Sequence, residues 1–131
     1  ARSYMFSTSL PPSVCGGVIK SLDILEQEPD RRLRLWNHIH YFREKLMDAG
    51  FNIGQSETAI FPIIIGDQKI VLEMTHQLHQ AGVFVNPVLY PAVPIRLSRI
   101  RISLTSELTP RQLDYALDCI IRIGQCLGVV K

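Results

Sequence analysis

Hydrophobic positions along this chain change their spacing from helical to alternating and back, and those changes divide it into elements. After Pro11-Pro12, Val14, Val18, Leu22 and Leu25 recur at intervals of three or four, which predicts a helix reaching about Gln27. Gly16-Gly17 lies inside it, and because each glycine costs about 1 kcal/mol against alanine in a helix, the pair suggests close approach of another element. Pro29-Asp30 punctuates the chain. A second helix from about Asp30 to Ala49 carries Leu35, Ile39, Phe42 and Leu46 on one stripe, widened by Trp36 and Met47, and Gly50 ends it.

The next apolar segment, Ile60-Phe61-Pro62-Ile63-Ile64-Ile65, is short and isoleucine-rich, so it reads as a strand with Pro62 near its start or at a sheet edge. Asp67 is placed to cap a third helix to about Ala81 through Val71, Met74 and Leu78, with Gly82 as its stop. Val83-Phe84-Val85 is expected to be a second strand, and Asn86 to Pro94, which holds Pro87, Pro91 and Pro94, a stiff loop. From Leu97 to Leu104 the pattern alternates: Ile100, Ile102 and Leu104 face one way, Arg99, Arg101 and Ser103 the other. Thr109-Pro110-Arg111-Gln112 then combines a capping box with proline at the first helical position. Leu113, Ala116, Ile120, Ile123 and Leu127 form the stripe of a last helix. This order of elements predicts an α+β fold, a small mainly antiparallel three-stranded sheet with helices packed on one face.

Composition adds limits rather than chemistry. A chain of 131 residues with 47% hydrophobic content can bury one sizeable core, and a second domain is not expected. Its 14 Lys and Arg residues are interleaved with 12 acidic ones, so no basic stripe for nucleic acid forms. Arg31, Arg32 and Arg34 follow Glu26, Glu28 and Asp30 and read as a solvated helix start. Cys15, Cys119 and Cys126 are odd in number and lack CxxC spacing, which argues against a disulfide framework or a zinc site and suits a reducing, cytoplasmic setting. Cys119 and Cys126, seven apart in an apolar helical pattern, read as core. No apolar run approaches the roughly 18 residues of a membrane span, and no signal peptide opens the chain. Starting at Ala1-Arg2-Ser3 without Met, it reads as a piece of a longer protein.

No complete catalytic set stands out. His38 and His40 point to different sides of a helix, and His76 and His79 lack a third ligand at metal spacing. Ser7, Ser9, Ser13 and Ser106 have no G-x-S-x-G context, and neither a G-x-G-x-x-G nor a P-loop occurs. Two features carry more. Arg99 and Arg101 share one face of a strand behind a proline-stiffened loop, where a guanidinium could grip a carboxylate through two parallel hydrogen bonds, or simply form a solvated sheet face. Ser7-Thr8-Ser9 puts hydroxyls before a helix start, where they could meet a phosphate or act as a plain N-cap.

A run of short motifs bears on these alternatives: Tyr4-Met5-Phe6-Ser7-Thr8-Ser9-Leu10-Pro11-Pro12, Leu35-Trp36, Phe42-Arg43, Ala49-Gly50-Phe51, Ala59-Ile60 with Pro62, Gly82-Val83-Phe84-Val85, Tyr90-Pro91-Ala92-Val93-Pro94, Arg99-Ile100-Arg101, Thr109-Pro110-Arg111-Gln112 and the tail Ile123-Gly124-Gln125 with Leu127-Gly128-Val129. In order and spacing they resemble the C-terminal small domain of the pyridoxal-phosphate (PLP)-dependent α-oxoamine synthases. The tail and the Tyr-Pro loop look most like 2-amino-3-ketobutyrate CoA ligase (glycine C-acetyltransferase), while Val85-Asn86-Pro87 leans toward serine palmitoyltransferases; 8-amino-7-oxononanoate synthase is also in the family. Leu108 stands where several members have a histidine, so the resemblance does not specify the substrate.

The resemblance implies that residues 1–131 are a single C-terminal small domain, with 1–27 the helical segment returning from a large PLP-binding domain outside this sequence. It implies that Arg101 binds the carboxylate of an amino-acid substrate, with Arg99 at most supporting it, and that Ser7 and Thr8 reach the cofactor phosphate across a homodimer interface. The reaction implied is condensation of a small amino acid with an acyl-CoA, the cofactor drawing electrons from the amino acid's α-carbon. No catalytic residue is assigned to this stretch, since the cofactor lysine belongs to the large domain, and the stretch alone is expected to be inactive. Competing readings are the small domain of a PLP-dependent aminotransferase and a non-enzymatic module binding a small anion on the Arg99 and Arg101 face.

Overall fold

A computed structural model describes residues 10–131, which divide into two compact units, one up to Leu33 and the other from Arg34 to Lys131. In the first, helix α1 (Pro12–Gln27) begins with proline at its first position, where the missing N–H costs nothing. The spacing of Val14, Val18, Leu22 and Leu25 does produce a helix, but all four are exposed. Nor do Gly16 and Gly17 admit a neighbour: a Cβ on either would meet nothing within 4 Å. Among the described residues the expected close approach does not occur there, and Ser21 donates back to the Gly17 carbonyl at 2.8 Å. Helix α2 (Pro29–Asp48) crosses the boundary between the units, and near its start Arg31 pairs with Glu28 at 2.5 Å, as a solvated helix start would.

The second unit holds the core. In α2, Ile39, Phe42 and Leu46 are buried and Leu35 half-buried, whereas Trp36 and Met47 are exposed, so the buried stripe is narrower than the apolar pattern implied. Gly50, at φ 85°, lets the chain reverse, and the bonds from Gly50 N–H to the Met47 carbonyl and from Phe51 N–H to the Leu46 carbonyl form a Schellman stop. Strand β1 (Ile60–Gly66), helix α3 (Gln68–Gln80), strand β2 (Asn86–Val88), strand β3 (Ser98–Ser103) and helix α4 (Pro110–Cys126) follow. Asp67 caps α3 by accepting from Lys69 and Ile70 N–H. Thr109 and Gln112 complete the expected capping box at α4.

The sheet has the order β1-β3-β2 and is antiparallel throughout, giving the α+β architecture read from the pattern. Phe61 and Ile63 of β1 and Ile100 and Ile102 of β3 turn one face inward, where they cluster with Val71, Met74 and Leu78 of α3 and Leu113, Leu117, Ile120 and Ile123 of α4. Both edge strands carry a proline without harm to the ladder. Ile64 N–H points outward to the Asn52 carbonyl, so Pro62, two residues earlier, also turns its nitrogen away from β3. The same alternation turns the nitrogen of Pro87 outward on the opposite edge.

Three expectations are corrected. The second strand is Asn86–Val88 rather than Val83–Val85. Val83 N–H is used in the Schellman stop of α3, and His79 Nε2 lies 2.8 Å from the Val85 carbonyl and 3.3 Å from Val85 N, bonding one or the other according to its tautomer, so this segment stays outside the ladder. The third strand begins at Ser98 rather than Leu97, because Ile95–Leu97 closes a single 3-10 turn onto the Pro94 carbonyl. Cys119 is buried as expected, but Cys126 in the last turn of α4 is exposed.

Candidate functional site

Alternation in β3 buries Ser98, Ile100 and Ile102 and leaves Arg99, Arg101 and Ser103 on the other face. Arg101 thus projects from the central strand of the sheet, on an element whose backbone is paired on both sides. Its side chain is exposed, and among the described residues it has no hydrogen bond or ion pair. Arg99, half-buried, is different: its Nε donates to the Leu97 carbonyl at 2.8 Å, which ties the guanidinium down along its own strand. Of the two arginines only Arg101 keeps its whole donor set available for a ligand.

Cross-strand register defines the surroundings of Arg101. Pro62 of β1 pairs with it on one side and Asn86 of β2 on the other, while Arg99 lies between Ile64 and Val88. Directly opposed residues of an antiparallel pair share a face. Arg101 therefore sits between an apolar ring and a carboxamide. The sequence reading missed Asn86, because it placed residues 86–94 in a loop. The available signal was an asparagine directly before Pro87, a position held extended by steric clash with the proline ring.

Of the other sequence candidates, the described histidines are not brought to this face. Ser7 and Thr8 lie outside the described residues. His38 Nδ1 is 3.1 Å from the Thr105 carbonyl, His40 lies against Trp36, and His79 ties the end of α3 to the chain entering β2. No group of three or more His, Cys, Asp or Glu among the described residues could hold a metal ion. Lys20, Lys45, Lys69 and Lys131 are all exposed and lie on separate segments. A cleft of about 410 Å³ lies elsewhere, lined by Phe84, Ser103, Leu108 and Arg111 among others, and includes neither Arg99 nor Arg101. No helix among the described residues is long and apolar enough to cross a membrane.

The model of the family described as aminotransferase class I and II matches residues 1–120. The chain belongs to that family. It is 40% identical to 8-amino-7-oxononanoate synthase of Symbiobacterium thermophilum over 98% of this chain and 33% of the relative. It is also 38% identical to the 4-hydroxy-2,2'-bipyrrole-5-methanol synthase of a Serratia species, over 98% of this chain and 20% of that protein. Serine palmitoyltransferase of S. paucimobilis, solved with a bound PLP–myriocin aldimine, superposes with TM-score 0.89 at 32% identity over 99% of this chain and 33% of that one. The chain therefore spans a third or less of these relatives. Serine palmitoyltransferase and 8-amino-7-oxononanoate synthase are both PLP-dependent α-oxoamine synthases, and this chain corresponds to a small C-terminal part of such a protein. The resemblance to the α-oxoamine synthases is upheld at the level of the family.

Proposed function

We propose that this chain is the substrate-orienting domain of a longer PLP-dependent C-acyltransferase that condenses a small amino acid with an acyl-CoA to give an α-oxoamine. Arg101 binds the amino-acid carboxylate. The observation that supports this most is its placement: an exposed guanidinium with no partner among the described residues, on the central strand of the sheet. A planar fork of N–H donors held on a rigid element meets both oxygens of a carboxylate at once, which fixes the rotation of the bound molecule as well as its place. PLP supplies the electron sink for the α-carbon when bound. Arg101 transfers no proton in this reading; its contribution is to hold the carboxylate, and thereby decide which α-carbon bond is presented for reaction.

The residues that hold the cofactor belong to the two-thirds of the relatives that this chain does not span, apart from Ser7 and Thr8, which this reading assigns to the cofactor phosphate across the interface of a cytoplasmic homodimer. It follows that these 131 residues alone are inactive. Arg101→Ala in the full-length enzyme removes a charge-assisted pair worth about 2–3 kcal/mol, so KM for the amino acid should rise roughly 30- to 150-fold with KM for acyl-CoA unchanged. The assay follows amino-acid-dependent release of free CoA. Transamination without CoA release would favour the aminotransferase reading instead, and an unchanged amino-acid KM in Arg101→Ala would remove the carboxylate role.

A further inference from the structure

The three residues of β2 bring one more polar side chain to the carboxylate face, and they do so through register rather than through any motif. Asn86 opposes Arg101, Pro87 opposes Ile100, and Val88 opposes Arg99. Opposed side chains in an antiparallel pair have Cβ atoms about 4.5–5.5 Å apart on the same face. Pro87 holds the backbone of Asn86 extended, so the carboxamide stays on that face. On the other flank of Arg101 stands Pro62, which has no side-chain donor. Asn86 is half-buried, and its amide, like the Arg101 guanidinium, has no hydrogen-bond partner among the described residues. Two adjacent, unengaged donor groups of different shape therefore share one row of the sheet.

A carboxylate has about four lone-pair sites, and a guanidinium fork fills one on each oxygen. From the geometry we infer that Asn86 is a second substrate-binding residue: its carboxamide N–H donates to a remaining lone pair on the carboxylate oxygen nearer β2. The arginine alone leaves the carboxylate free to tilt about the axis of the fork. A third donor from one side removes that freedom, so Asn86 sets the tilt of the amino acid as well as adding affinity. A carboxamide serves here where an aspartate would not, because a second anion would repel the ligand and neutralise Arg101. The proposal rests on the reading of Arg101 as the carboxylate anchor.

The test compares Asn86→Ala, Asn86→Asp and Arg101→Ala in the full-length holoenzyme, with glycine, L-alanine and L-serine each as probe. Steady-state kinetics gives KM for amino acid and for acyl-CoA separately, calorimetric titration gives amino-acid affinity without turnover, and thermal melting checks folding. Asn86→Ala should weaken amino-acid binding roughly 10-fold, as loss of one hydrogen bond to a charged group does, with acyl-CoA KM and melting temperature unchanged. Asn86→Asp, the same shape with a negative charge, should weaken it further, roughly 100-fold. If Arg101→Ala loses binding while both Asn86 variants stay within about twofold of the parent, the Asn86 assignment alone is overturned. Equal losses in both Asn86 variants with a lowered melting temperature would mark a merely structural role and overturn it too. No effect of Arg101→Ala, or no binding of any of the three amino acids, would remove the anchor and the proposal together.

Discussion

Gly124 has the closest neighbour of any glycine among the described residues. It is buried in α4, and a Cβ built on it would lie 2.6 Å from Phe51 Cζ and 2.9 Å from Phe51 Cε1. Phe51 cannot easily retreat, since its N–H is bonded to the Leu46 carbonyl at the stop of α2 and its side chain is itself buried. Alanine at this position gains about 1 kcal/mol of helix propensity but forces overpacking that costs about 1–3 kcal/mol. Gly124→Ala should therefore destabilise the chain by up to about 2 kcal/mol in urea unfolding. Phe51→Leu in the same background should recover part of the loss, and a stabilised single variant would show that the ring moves aside. The sequence reading looked for close approach at Gly16-Gly17, where the glycines are paired, and found none; the approach that exists is at an isolated glycine. Spacing within one helix cannot reveal it, because the neighbour comes from 73 positions away along the chain, between Phe51 and Gly124.

Elements were legible in proportion to how many residues vote for them. Helices α2, α3 and α4, at 20, 13 and 17 residues, repeat their stripe several times, and their caps or stops are local. β2 has three residues, one of them proline, and its hydrophobic neighbours Val83 and Val85 belong to backbone engaged elsewhere, so the pattern pointed to the wrong triplet. Contacts between elements were not legible at all. One of these joins α2 to α4, where the Tyr41 hydroxyl donates to Asp114 Oδ1 at 2.5 Å. That hydrogen bond raises the Tyr41 pKa above its ordinary value of 10, and desolvation and the charges of Asp114 and Asp118 push the same way. A phenolate there would face a carboxylate. Because the folded pKa is raised, the contribution to stability is complete below the unfolded value and is lost as pH rises through the folded one. As pH rises above about 10, the melting temperature of the chain should fall more steeply than that of Tyr41→Phe. Parallel curves for the two proteins would show that the contact does not couple to titration.

At the scale of the whole chain, apolar content and burial part company. The stripe of α1 has the spacing of a core-facing helix, yet none of its residues is buried, while Leu46, Ile63 and Ile120 in the second unit are fully so. The same separation limited what could be read of the function. Alternation alone read Arg101 first as a solvated strand residue and Ser7-Thr8-Ser9 first as a plain N-cap; the run of family motifs reversed both readings. A helix of 16 residues is near the length at which isolated helices are marginal in water, and Gly16 and Gly17 weaken it further by about 1 kcal/mol each. The core of the second unit gives its helices and central strand a tertiary reason to stay closed. Hydrogen exchange on the isolated 131-residue chain should then separate the two. Amides of α1 are expected to exchange within about tenfold of an unfolded peptide, and those of Ile100, Ile102 and Ile120 to be slower by three orders of magnitude or more, roughly the factor that about 4 kcal/mol of opening free energy imposes. Protection of α1 equal to that of α4 would mean that the apolar stripe is covered in solution and that the two units open together.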